Sequence, residues 1–338
     1  MFKRLFVMLL LVTPLAAAQG WPSEVKEIRI RSTKDHTDQP AMWWTPPDSK
    51  EAPLLVGLHT WSGDHKQTSS AYWRWCRQQG WHFIFPNFRG PNRTPEALAS
   101  DLAVQDIVDA VAWAKTTVKV NPRRVYLIGF SGGAHMAMVM AGRHPEIWAG
   151  VSAWCGIFDL SRWYTEHVRN GKPDNYALQF EQAMGGPLDT PARKAEARRR
   201  SPIGWLQNAG SVPLHIAAGV HDGRKGAVRF RHSLDAFNAV VPPAARIPDA
   251  LIDSFYATQQ LPVGVAAAAA DPLYGARKPL YQRTHDNTRV TIFDGAHQIL
   301  QEIGLNWLAL QEKGRPAVWE ITNPIQLRVL DKETKAGR

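Results

Sequence analysis

Six short, almost unbroken apolar runs constrain this chain more than any other feature: residues 54–59, 82–86, 125–130, 150–155, 214–218 and 290–293. A strand with one wet face alternates apolar and polar residues, so runs this short and uniform fit strands covered on both faces. Helix-like stretches separate several of them, at 102–115, 131–143 and 227–240; in the first, Val104, Ile107, Val108 and Val111 supply an apolar face. Parallel strands need a crossover, and a helix is the usual one. The alternation therefore predicts an α/β fold, a mostly parallel sheet with helices on both faces. Two more strands at 25–30 and 41–45, the second ended by Pro46 and Pro47, form an antiparallel edge and bring the expected count to eight.

With 338 residues, 44% of them hydrophobic and 21% charged, the chain has material for a large core and too little charge for disorder. The rhythm assigns residues 19–314 to one domain. Two segments break it. Residues 241–287 carry Pro242, Pro243, Pro248, Pro262, Pro272 and Pro279, which argue against a long regular helix, and are expected as an inserted cap over part of the pocket. The extension 315–338 is expected to hold a small strand pair at 317–322 and 325–330.

Residues 1–18 read as a secretory signal peptide: Lys3 and Arg4, the apolar run 5–12, Pro14, then Ala16, Ala17 and Ala18 at an A-x-A site. The run is too short to span a bilayer, and no later segment is long and apolar enough to do so. The expected location is therefore secreted or periplasmic. The net charge of +10 favours acidic surfaces, but no nucleic-acid motif accompanies the scattered basic residues. The densest run, 193–200, contains Glu196 and reads as a solvated helix face before it reads as a polyanion site. Cys76 and Cys155 either pair in an oxidising compartment or sit as buried thiols.

The chemistry concentrates at Gly129-Phe130-Ser131-Gly132-Gly133, a G-x-S-x-G between the fifth expected strand and an Ala- and Met-rich helix. That strand-to-helix context is what the motif requires: a sharp turn exposes the hydroxyl, and the glycines avoid clashes between neighbouring elements. A serine hydroxyl needs a base, normally a histidine oriented by a carboxylate. Asp222 follows the seventh expected strand and His297 the eighth, both at carboxyl ends, where α/β sheets build their sites. The catalytic candidates are therefore Ser131, Asp222 and His297, in the chain order of a hydrolase elbow. Asp253, Asp271 and Asp286 are weaker substitutes for the acid, and Asp294 stands too near His297 along the chain. His135 and His221 read as structural. The oxyanion hole is assigned to the N–H of Gly132 and, from the loop His59-Thr60-Trp61, to that of Trp61, with Thr60 as the alternative.

Together these residues resemble the α/β-hydrolase superfamily, and more narrowly the catalytic domains of the prolyl-oligopeptidase type and related secreted esterases. His59-Thr60-Trp61 stands where the superfamily has its His-Gly oxyanion loop, with Thr60 in place of the usual glycine. Pro86-Asn87-Phe88-Arg89-Gly90 is similar to the family's Arg-Gly segment after the fourth strand. Asp101 and Asp106 open the helix that leads through Asn121-Pro122-Arg123-Arg124-Val125 into the elbow. The resemblance spans residues 25–307 and leaves no room ahead of it for a β-propeller to filter substrates by size. It implies a serine hydrolase that forms an acyl-enzyme on an ester or peptide substrate, free or polymer-linked.

No metal or organic cofactor is expected, since no H-E-x-x-H or similar ligand spacing is present. Neither a nucleic-acid partner nor a membrane span is expected. The alternative function is a non-catalytic glycan or cell-wall binding protein on the same scaffold, suggested by the 14 tryptophans and the early cluster Trp43, Trp44, Trp61, Trp73 and Trp75.

Overall fold

The computed structural model describes residues 20–48 and 50–328, so the leader pattern at 1–18 lies outside the described residues. The strands are β1 (Lys26–Arg31), β2 (Asp38–Trp44), β3 (Ala52–Leu58), β4 (His82–Pro86), β5 (Val120–Phe130), β6 (Gly150–Trp154), β7 (Val168–Arg169), β8 (Lys172–Pro173), β9 (Leu214–Gly219), β10 (Pro279–His285) and β11 (Thr288–Phe293). The helices are α1 (Ser70–Gln79), α2 (Asp101–Thr117), α3 (Gly132–Arg143), α4 (Leu160–Glu166), α5 (Asn175–Met184), α6 (Pro191–Arg199), α7 (Arg231–Val240), α8 (Asp249–Thr258) and α9 (Gln301–Ala309).

Nine strands form one sheet in the order β1-β2-β4-β3-β5-β6-β9-β11-β10, while β7 and β8 make a separate hairpin. From β4 through β11 every pairing in that order is parallel. Antiparallel pairings occur only toward the two edges, where β1 pairs β2, β2 pairs β4, and β10 pairs β11. Alternate residues of the parallel strands feed opposite cores. Val125 and Leu127 of β5 join Ala137 of α3, Ile107 of α2 and Phe237 of α7 on one face. Tyr126 and Ile128 join Trp75 of α1 and Leu305 of α9 on the other.

The ninth strand, β10, lies inside the segment expected as a cap. Residues 241–287 instead supply α8, which packs beside α7 through Phe255 on Phe230, and the strand that closes the sheet edge beyond β11. Near the site this segment touches the loop after β9, where Arg224 donates to the Tyr256 and Ala257 carbonyls and Gln259 to the Val220 carbonyl. The elements against the oxyanion loop are α4, α5 and α6, between β6 and β9: Leu160, Trp163, Phe180, Met184 and Ala197 form one buried cluster with Trp61.

The expected strand pair in the C-terminal extension does not form among the described residues, of which the last is Arg328. Side chains of α9 and its C-terminal end satisfy that stretch instead. Gln311 binds the backbone of Val318 at both ends of its amide, Asn306 does the same for Ile325, and Trp319 stacks on Trp307 at 5.2 Å. Cys76 and Cys155 are both buried free thiols. Within the run 193–200, Arg193, Arg199 and Arg200 pair with Asp189, Asp101 and Glu196. Trp43, Trp44, Trp61, Trp73 and Trp75 are all buried, so they offer no stacking platform for a glycan.

Candidate active site

The turn from β5 to α3 holds Ser131 at φ 57°, ψ −119°, a backbone conformation that L-residues adopt only under constraint. The constraint is visible on both sides: Ser131 N donates to the Trp154 carbonyl of β6 at 2.8 Å, and Ser131 O accepts from His135 N at 3.0 Å. The flanking glycines permit the close crossing. A Cβ on Gly129 would fall on the Gly133 carbonyl, and one on Gly133 would meet the His59 carbonyl.

Two further loops bring their side chains to this turn. Ser131 Oγ lies 2.9 Å from His297 Nε2, and His297 Nδ1 lies 2.8 Å from Asp222 Oδ2. The hydrogen-bond chain reads Ser131 O–H to His297, His297 Nδ1–H to Asp222. The other carboxylate oxygen of Asp222 accepts from the N–H groups of Gly223 and Val228, so this fully buried group is hydrogen-bonded at both oxygens. β9 and β11 are neighbours in register, Gly219 opposite Phe293, and His221 N donates to the Gly295 carbonyl, which ties the acid loop to the base loop.

The other carboxylates weighed against Asp222 are engaged elsewhere. Asp253 pairs with Arg231, Asp271 accepts from Leu273 N, Asp286 lies next to His285 at the β10–β11 turn, and Asp294 faces His221. His135 is buried in α3 with Nδ1 on the Ile157 carbonyl, and burial holds its pKa down at about 4.

On the oxyanion side the backbone N of Trp61 lies 2.6 Å from where a Cβ on Gly132 would stand. Among the described residues neither the Trp61 nor the Gly132 N–H has an acceptor, whereas Thr60 N is committed to Gln67 Oε1 at 3.0 Å. Thr60 N is thus occupied where Trp61 N is open. The loop is held at three points. His59, stacked on Phe88 at 3.8 Å, has its ring nitrogens against the Thr60 and Asn87 carbonyls, and burial lowers its pKa to about 4. Trp61 O accepts from Asn92 N at 2.9 Å, and the Trp61 indole donates to Gln179 of α5 at 2.7 Å. Neither Asn92 nor Gln179 carries a mark in the sequence beyond the turn composition of Gly90-Pro91-Asn92.

Among the described residues, the His, Cys and carboxylate donors close enough to share a metal are Cys155, Asp222 and His297, all within 4.8 Å. Two of these three are already joined in the hydrogen-bond chain.

A strained serine after a central parallel strand, with its histidine and acid carried on two neighbouring strands, defines a serine-type α/β-hydrolase. Residues 67–244, just over half of the chain, match the prolyl oligopeptidase family, and the chain belongs to it. Poly(3-hydroxyalkanoate) depolymerase C of Paucimonas lemoignei is 28% identical over 126 residues, covering 31% of this chain and 28% of that protein. The acylaminoacyl peptidase of Pyrococcus horikoshii aligns over 88% of this chain and 43% of its own at a TM-score of 0.56 and 14% identity. A prolyl endopeptidase aligns over 82% of this chain and 35% of its own at a TM-score of 0.52 and 16% identity. The chain thus spans under half the length of each of these proteins, and the two structural likenesses are likenesses of fold.

Proposed function

We propose that this protein hydrolyses carboxylic esters or amides through an acyl-enzyme formed on Ser131. The reading is carried by the hydrogen-bonded series Ser131, His297, Asp222, which begins on the strained turn beside two uncommitted N–H groups. In the forward step Ser131 Oγ attacks the carbonyl carbon and its proton passes to His297 Nε2. Asp222 keeps the ring in the tautomer that can accept that proton and stabilises the imidazolium. The carbonyl oxygen becomes an alkoxide that accepts from Gly132 N and Trp61 N. Collapse expels the alcohol or amine, which takes the proton from His297. Water then repeats the sequence on the acyl-enzyme, releasing the acid and restoring Ser131.

The depolymerase relative supports esters, including polymer-linked ones, and the peptidase family supports amides. The burial of the five early tryptophans takes those rings away from a glycan-binding role. The test is fluorophosphonate labelling of the purified protein with mapping of the modified residue, followed by turnover of acyl esters and aminoacyl amides. Labelling at Ser131 that disappears in Ser131→Ala, together with hydrolysis at least about 10³-fold above that variant, is the expected result. Absence of labelling, or turnover that survives the substitution, overturns the proposal.

A further inference from the structure

We propose that the side-chain amide of Asn92 is a third donor to the oxyanion, beside the N–H groups of Gly132 and Trp61. The inference rests on Ser131 being the nucleophile and adds a residue that the hydrolase motif does not supply.

The argument begins with the amide's orientation. Asn92 lies in the loop after β4, is only 3% exposed, and its Oδ1 accepts from Leu98 N at 2.9 Å. That bond identifies which end of the side chain is oxygen and leaves Nδ2 as the free end, with no acceptor among the described residues. Nδ2 is not sealed from solvent, so the amide is anchored at its oxygen and presents an accessible donor, an arrangement that calls for a reason.

The position of Nδ2 supplies one. It lies 3.1 Å from the point where a Cβ on Gly132 would stand, and Trp61 N lies 2.6 Å from the same point. A backbone donor and a side-chain donor thus close on one residue, the one whose own N–H follows the nucleophile. A side chain at 132 would fill the space that brings them together. The backbone of Asn92 also fixes its neighbour, since its N–H donates to the Trp61 carbonyl.

Local strain points the same way. Leu98 and Ala99 are consecutive non-glycine residues in the left-handed region, at φ 48° and 51°, and both are buried. Such conformations persist where the surroundings over-determine them, and here they form the turn whose Leu98 N–H holds Asn92 Oδ1. In the reaction Asn92 gives a hydrogen bond and keeps its proton. As the carbonyl becomes an alkoxide, Nδ2–H shortens onto it, and the amide stays neutral throughout.

The test uses the full chain, a p-nitrophenyl acyl ester and a boronic acid that mimics the tetrahedral adduct. Asn92→Ala removes both the donor and the acceptor for Leu98; Asn92→Asp keeps an oxygen for Leu98 and exchanges the donor for a carboxylate, whose charge by itself opposes an oxyanion. Both variants are expected to lose about tenfold to hundredfold or more in kcat, with KM changed less than about twofold and boronate affinity falling in parallel with kcat. A purely structural role lowers kcat in Asn92→Ala while the wild-type boronate complex shows no bond from Nδ2 to a boron-bound oxygen. If Asn92→Ala does not fold, the wild-type boronate complex decides: Nδ2 is expected within about 3.2 Å of a boron-bound oxygen, and a separation beyond about 4 Å overturns the inference. Wild-type labelling keeps the two proposals apart. A wild type unlabelled at Ser131 defeats the proposed function, whereas an active wild type whose Asn92 variants retain kcat and boronate affinity defeats this inference alone.

Discussion

Asp222 illustrates how much one atom position decides. Its Oδ2 faces His297 while Oδ1 takes two backbone N–H groups, so Asp222→Asn leaves the shape almost intact and places an N–H or a reoriented carbonyl where the imidazole needs an anion. Turnover should fall about 10⁴-fold while the variant unfolds within a few degrees of wild type, as in other serine triads. A drop under tenfold in steady-state hydrolysis would mean that a different carboxylate serves His297. Ser131, Asp222 and His297 are legible in the sequence because each follows directly on an apolar strand, and the motif marks the first of them. Asn92 and Gln179 are not, because their geometry comes from partners remote in the chain; the Trp61–Gln179 bond spans 118 residues. The order of preference between Trp61 and Thr60 depends on Gln67, whose bond to Thr60 no motif announces.

At the level of elements, one arginine joins three of them. Arg89, in the loop after β4, binds both oxygens of Asp106 on α2 and both oxygens of Asp35 in the β1–β2 connection, and also reaches Ser32 Oγ. The hydrogen bonds from Arg89 hold Asp35 well below the ordinary carboxylate range. At Asp106 burial outweighs the same partner and pushes the carboxyl up. Arg89→Met strands Asp106 in a site with 2% side-chain exposure, at an expected cost of about 3 kcal/mol near pH 8. Because protonation relieves the stranded carboxylate, the loss should be smaller at pH 5; urea denaturation at the two values checks both size and direction. A cost below about 1 kcal/mol at pH 8 would show the cluster to be dispensable. The same scale explains which elements the sequence conceals. The six buried parallel strands appear as apolar runs, but β10 reads PLYQRTH because it is an edge strand with polar residues facing out. In α6, PARKAEARR buries only Ala197. Pro248 stands just outside α8, where a missing N–H costs the helix nothing, so the proline-rich stretch hides a ten-residue helix.

For the whole molecule, burial acts on the enclosed rings of His59, His135 and His215, and also lowers the pKa of His82 on β4. Burial lowers the pKa of His59 and His135 to about 4 and that of His215 to about 3, from an ordinary 6.5. The unfolded chain takes up protons on these rings near 6.5 and the folded chain does not until near 4. Their contribution is therefore fully present above about pH 6.5 and drains as pH falls toward 4. Melting temperature measured across that interval should decline, and His215→Gln should flatten the slope; a flat wild-type profile would contradict the assignment. The parallel topology was legible because crossover physics leaves few alternatives to it. The packing of α4 to α6 against Trp61 was not, because these helices are polar outside and meet it only in three dimensions.

The detour between α8 and β10 has a consequence for how the chain tolerates cutting. Residues 259–271 run without helix or strand along the outside, with Val263 fully solvated, while the next strand but one delivers His297. A protease nick there would sever the backbone between acid and base yet leave the trailing fragment zipped to β9 through six register pairs of β11 and anchored by the buried Leu305, Trp307 and Leu308 of α9. Two pieces on a denaturing gel should still behave as one working particle, so clipping during purification is no measure of inactivation.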